Sequence, residues 1–193
     1  MRAAAASETD SPALPPLFRH HVRRPRLTRL LDASTSRLIV LHAPAGYGKT
    51  TLAAEWLQGR PEEEVAWYYA GPASADVAAL SVGIAEAVSH ILPAGDRVRQ
   101  RLRVPQVPDN AAEILAELLA HDLMAWPDNA WLVLDDYHQA MESKSAERFV
   151  EELVRLAPLR ILITTRRRPT WVTARRVVYG EVTEFGYSLA RSN

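Results

Sequence analysis

Apolar residues along this chain follow two spacings. Unbroken runs occur at RLIVLHA (37–43), EVAWYYA (64–70), WLVLDD (131–136) and LRILITT (159–165). Runs this short, rich in branched side chains and bounded by turn formers, predict strands buried on both faces. VVYGEVTEFG (177–186) holds a last, weaker strand candidate. Between the runs, apolar residues recur every third or fourth position. Val77, Leu80, Ile84, Val88 and Ile91 make one helical stripe, and Phe149, Val150, Leu153 and Val154 make another. TTLAAEWL, after the loop that follows the first run, reads as a helix. Asn110 with Glu113 reads as a capping box before the stripe of Ile114, Leu115, Leu118 and Leu119. The Pro- and Arg-containing stretch 93–109 reads as a loop, and 19–34 as basic and then weakly helical.

Strand and helix thus alternate. The pattern predicts an α/β fold, a three-layer parallel sheet of about five strands with helices on both faces. Ligands of such sheets bind beyond the carboxyl ends of the strands, so the residues that follow each run are the candidates for chemistry.

Composition narrows the classes. A length of 193 residues suits one domain with a sizeable core. Acids and bases balance at 23 each, which removes any global steering toward nucleic acid. With no cysteine, disulfides, thiolate catalysis and cysteine-based zinc sites are excluded, and the six histidines lack metal-ligand spacing. No apolar run approaches the ~18 residues of a membrane span. These features fit a cytoplasmic protein. Residues 1–16 read as a disordered lead-in, since Glu8, Asp10 and three prolines interrupt any signal-like run.

The first strand end carries the strongest signal, APAGYGKTT (43–51). A strand, a loop ending Gly-Lys-Thr and a helix together form a phosphate cradle. Gly46 and Gly48 let the backbone approach an anion, and Ala45, Tyr47 and Thr51 supply neighbouring N–H groups. Lys49 would lie along the β- and γ-phosphates, and the Thr50 hydroxyl would ligate Mg²⁺. Ala43 stands where the usual pattern has its first glycine, a departure its small side chain makes tolerable.

Two further strand ends fit the same site. Asp135 closes WLVL and can hold Mg²⁺ through its water shell, while Asp136 can orient or deprotonate a water. Alone, an Asp pair there is as well explained as a turn cap. In ITTRRRP, Thr165 and Arg166 fall where a terminal-phosphate sensor would lie; a solvated basic turn is the plainer alternative. His138 reads as structural, and the five tryptophans as core or cover residues. The basic stretch RHHVRRPRLTR reads as a solvated face, with one arginine reaching the nucleotide.

PAGYGKTTL, LVLDDYH and the TTR of ITTRRRP, in that order, resemble the nucleotide-binding domain of the signal-transduction ATPases with numerous domains (STAND), an AAA-related branch of the P-loop NTPases. RRPRLTRLL (23–31), TLAAEWL and AWYYA are similar to the same region of the large ATP-dependent LuxR-type regulators. The likeness covers roughly residues 17–190, read as the nucleotide-binding domain, with 191–193 as a tail. AGPASAD, after AWYY, departs from the acidic, Asn-containing turn common in that family. The resemblance implies a slow ATPase switch. ADP would hold a closed state, and MgATP an open one that associates with itself or a partner protein. Lys49, Thr50 and Asp135 would bind MgATP, Asp136 would support hydrolysis and Arg166 would sense the γ-phosphate. Such regulators continue into winged-helix, helical-repeat and DNA-binding segments, so this chain is expected to be a nucleotide-binding module without its own DNA-binding part.

Two other functions remain compatible with the sequence. One is a small phosphotransferase, with Arg97, Arg99, Arg101 and Arg103 forming a lid; the other is a non-catalytic, nucleotide-dependent interaction domain.

Overall fold

The structure is a computed structural model that describes residues 14–17, 22–105 and 108–186. The expectations for residues 1–13 and 191–193 fall outside that range. Five parallel strands form one sheet: β1 Leu38–His42, β2 Glu64–Tyr69, β3 Ala130–Asp135, β4 Arg160–Thr165 and β5 Val182–Phe185. Their spatial order is β2-β3-β4-β1-β5. β4 therefore lies between β3 and β1, and this order brings the carboxyl ends of β1, β3 and β4 together.

Each strand splits its side chains between two cores, as the two-residue repeat of a strand requires. Leu38, Val40, Leu132, Leu134, Ile161 and Ile163 face one side. There they meet α3 Val77–Val88, α5 Ala111–Asp122 and α6 Lys144–Leu156. Ile39, Leu41, Trp131, Val133 and Leu162 face the other side, against α1 Pro25–Asp32 and α2 Lys49–Gln58. Fully burying one such aliphatic side chain is worth about 1.5–3 kcal/mol, so each strand is held from both faces. All five tryptophans are buried, as expected. Leu14 and Leu17 pack on the α1–α2 side, and Gln58 Nε2 donates to the Pro15 carbonyl at 3.2 Å.

Three local expectations need correction. Residues 93–109 are not simply a loop, because Asp96–Leu102 forms the helix α4 with Val98 fully buried. Gly95 at φ 93° opens α4, and Asp122 accepts from the Gly95 N–H at 3.0 Å. Asn110 makes no capping hydrogen bond from its side chain, and Glu113 accepts instead from Arg148 Nε at 3.0 Å. Finally, Val177 and Val178 belong to a short helix, α7 Ala174–Val178, so the last strand is confined to Val182–Phe185.

Candidate functional site

β1 ends at His42, and the chain turns through residues 43–48 into α2. Gly46 and Gly48 adopt φ 79° and φ 71°, which side chains rarely tolerate. A Cβ on Gly46 would meet nothing within 4 Å, so the loop leaves open room there. Ala43 has no positive φ; its N–H bonds the Thr165 carbonyl at 3.2 Å. A residue that only extends the strand needs no glycine, which explains why alanine suffices there. Gly48 serves as the N-cap of α2 without a side-chain cap, so N–H groups of the first turn stay available to an anion. Ala45 and Tyr47 lie in the loop, and Thr51 follows Thr50 in the first turn.

Lys49 arches back over this loop. Its Nζ donates to the carbonyls of Ala43, at 2.8 Å, and Pro44, at 3.1 Å. Burial lowers its pKa and Arg166 adds to that effect, while Asp136 and Asp135 oppose it. Arg24 covers the loop from the N-terminal side: its Nη1 donates to the Tyr47 carbonyl at 2.8 Å. Arg24 is thus an arginine of the basic segment that reaches the phosphate loop.

The acid cluster is built on β3 and β4. Asp135 is buried, and its Oδ1 accepts from Thr50 Oγ1 at 2.8 Å and from Thr164 Oγ1. Thr164 Oγ1 in turn accepts the Asp136 N–H at 3.0 Å. Thr50, Asp135 and Thr164 thus form one oxygen-rich cluster beside the phosphate loop. Hydroxyl and carboxylate oxygens are the donors Mg²⁺ prefers, and the octahedral ion keeps several waters, so this pair of ligands fits it. Asp136 sits at φ 54°, the one non-glycine residue with positive φ among those described, and its side chain is about half exposed. A strained backbone at a cluster of charges is a frequent mark of function.

His138 lies against this acid, with Nδ1 3.7 Å from Asp136 Oδ1. Both its ring nitrogens are buried without a hydrogen-bond partner. Burial, then Arg166, lowers its pKa against the pull of Asp136, so the ring is held neutral.

The turn after β4 separates three arginines. Arg167 pairs with Glu142 at 2.6 Å and Arg168 with Glu184 at 2.8 Å. Arg166 is exposed, has no ion pair among the described residues, and lies close enough to perturb Lys49 and His138. Thr165 turns to the opposite face: its hydroxyl bonds the Arg167 carbonyl at 2.8 Å and lies 3.6 Å from Met141 Sδ. The threonine facing the acids is Thr164, which the sequence reading missed. Two-residue alternation from Leu162, which faces α2, would have found it.

Beside the loop, Leu27, Leu31, Leu41, Leu52 and Phe185 line an apolar cleft with Arg24, His42 and Tyr47 at its edges.

These features define a P-loop NTPase fold with a phosphate-loop site. The AAA domain family matches residues 31–170, and the chain belongs to that family. It is similar to the HTH-type transcriptional regulator MalT of Vibrio cholerae, 27% identical over 173 residues, 86% of this chain and 18% of that protein. It is 32% identical to MalT of Cronobacter sakazakii, over 64% of this chain and 14% of that one. Serine/threonine-protein kinase PknK of Mycobacterium tuberculosis is 31% identical over 64% of this chain and 11% of its own length. The chain thus spans under a fifth of these relatives. Among solved structures, the Aeropyrum pernix ORC1 protein in complex with DNA shares the fold at TM-score 0.53 and 19% identity, covering 84% of this chain and 43% of that one. Among the described residues no helix is long and apolar enough to cross a membrane.

Proposed function

We propose that this chain is the ATP-binding, slowly hydrolysing switch domain of a STAND-type cytoplasmic transcriptional regulator. One observation carries the reading: Lys49, Thr50, Asp135 and Arg166, which has no ion pair among the described residues, converge on one strand-end cluster beside an open phosphate loop. The similarity to MalT over most of the chain supports the regulatory setting. Residues 17–190 would form the nucleotide-binding unit, and a larger protein would supply the inducer-sensing, self-association or partner contacts.

In this reading the loop N–H groups of residues 45–51 and Lys49 bind the phosphates of ATP or ADP. The apolar cleft takes the base, with Arg24 over the loop. Thr50 and Asp135 would hold Mg²⁺, which neutralises charge on the terminal phosphates when bound. Asp136 orients the attacking water and accepts its proton, a task its exposed carboxylate and turned backbone suit. His138, its pKa lowered by burial, packs beside that carboxylate with Nδ1 3.7 Å away. Arg166 balances the charge that grows on the terminal phosphate.

We favour the switch over the phosphotransferase reading, whose lid segment holds the helix α4. α4 packs against α3 and α5, and Arg97 and Arg99 are engaged by Asp122 and Asp96. A phosphate-release assay with and without added nucleosides tests the choice. Slow release of free phosphate that Asp136→Asn abolishes supports the switch; transfer to an added hydroxyl acceptor refutes it.

A further inference from the structure

The three arginines after β4 differ in what holds them, and the difference has a purpose in the turn's geometry. Glu184 on β5 uses both carboxylate oxygens: Oε2 takes Arg168 Nη2 at 2.8 Å, and Oε1 takes His42 Nε2 at 2.9 Å. Its side chain is only 16% exposed, so the contacts are shielded from full solvent screening. His42 closes β1 and lines the apolar cleft, and Gly186 packs so tightly on its ring that a Cβ would come within 2.8 Å of Nε2. The imidazole is therefore fixed from two sides. On the far side of the turn, Arg167 is tied to Glu142, in the 3-10 helix Tyr137–Glu142 that follows the acid pair. Arg166 directly precedes these two anchored arginines and is itself without an ion pair among the described residues.

We infer that Glu184 is a positioning residue: by clamping Arg168 to His42 it fixes the 166–168 turn so that Arg166 meets the terminal phosphate, and it joins that turn to the wall of the base cleft. The inference rests on the proposed nucleotide site. Anchoring the turn lowers the ordering cost of binding, because an arginine on a loose turn loses backbone freedom as well as rotamer freedom when it meets a ligand. Anchoring the residues beside it, rather than Arg166 itself, leaves its charge free for the ligand. The same bridge places the base cleft and the phosphate sensor on one rigid connection, from His42 through Glu184 to Arg168.

The test is the ratio of MgATP to MgADP affinity in the purified chain. Arg166→Ala should lower MgATP affinity roughly tenfold and leave MgADP unchanged. Glu184→Gln and, independently, Arg168→Gln should reproduce that loss of discrimination. In the Arg166→Ala background, Glu184→Gln should not change the ratio of MgATP to MgADP affinity further, because its effect on discrimination runs through Arg166. Equal weakening of both nucleotides, or additive losses in the double variant, would overturn the positioning role and leave the nucleotide site standing. Absence of Lys49-dependent binding in the unmodified chain would instead overturn both.

Discussion

The Thr50 hydroxyl donates to Asp135 Oδ1 at 2.8 Å, joining two residues 85 positions apart in the chain. β4 makes the contact possible, since it pairs with both β3 and β1, the strand that launches the phosphate loop, and so holds their carboxyl ends one strand apart. The hydroxyl and the carboxylate each satisfy the other, and both can turn to a cation without moving the backbone. Thr164 completes the arrangement from β4.

Thr164→Val keeps the shape of the side chain and removes the hydroxyl. Buried Asp135 loses a donor and the Asp136 N–H loses its acceptor. Leaving such groups unsatisfied costs about 1–3 kcal/mol. Chemical denaturation should report a loss in that range; an unchanged midpoint would mean that water replaces the hydroxyl.

Asp136 separates stability from chemistry. Asparagine tolerates the left-handed backbone, so Asp136→Asn should stay within about 0.5 kcal/mol of the unmodified stability. Phosphate release should fall by about a hundredfold or more, the usual scale for a lost general base. Asp136→Val should cost about 1–2 kcal/mol, since a branched residue is strained at φ 54°. A stable, fully active Asp136→Asn protein would remove this acid from the mechanism.

His138 sets an acid limit on stability. Burial and the cations Arg166, Lys49 and Arg167 lower its pKa in the folded chain, and Asp136 only partly offsets them. The unfolded chain therefore binds a proton first as pH falls through the ordinary value of 6.5. Stability is fully present above that pH and declines below it, toward the lowered folded value. Denaturation midpoints at pH 7.5 and 5.5 should differ less in His138→Gln than in the unmodified chain. Equal acid losses in both would place the titrating group elsewhere.

Gly83 tests the packing of α3 on β2. A Cβ there would lie 2.5 Å from Tyr68 Cε2, and Tyr68 is tied through its hydroxyl to Ser74 at 2.8 Å. Gly83→Ala should destabilise by about 1–3 kcal/mol despite alanine's better helix propensity. A rise in thermal midpoint would show that the ring swings aside freely.

The sequence made some parts of this molecule legible and hid others, for physical reasons. The first four strands and the phosphate loop are local patterns: continuous apolar runs, and glycines beside a lysine and a threonine; that β2 is a half-exposed edge strand was not legible from its run. Strand order is not local. It decides that Asp135 meets Thr50 and Thr164, and nothing in the run WLVLDD names those partners. α4 was hidden because prolines and arginines outweighed the single buried Val98 that anchors it. α7 was hidden because Val177 and Val178 resemble a strand in composition, although Val178 is largely exposed. Arg167 and Arg168 read as anonymous basic residues until Glu142 and Glu184 appeared opposite them.

Calorimetric titration of the purified chain with MgATP and MgADP, beside Lys49→Ala, tests the central claim most directly. The account predicts saturable binding of both nucleotides by the unmodified chain and its loss in the variant. Equal affinity in the two proteins would mean that Lys49 and its loop are not a phosphate site, and would contradict the account.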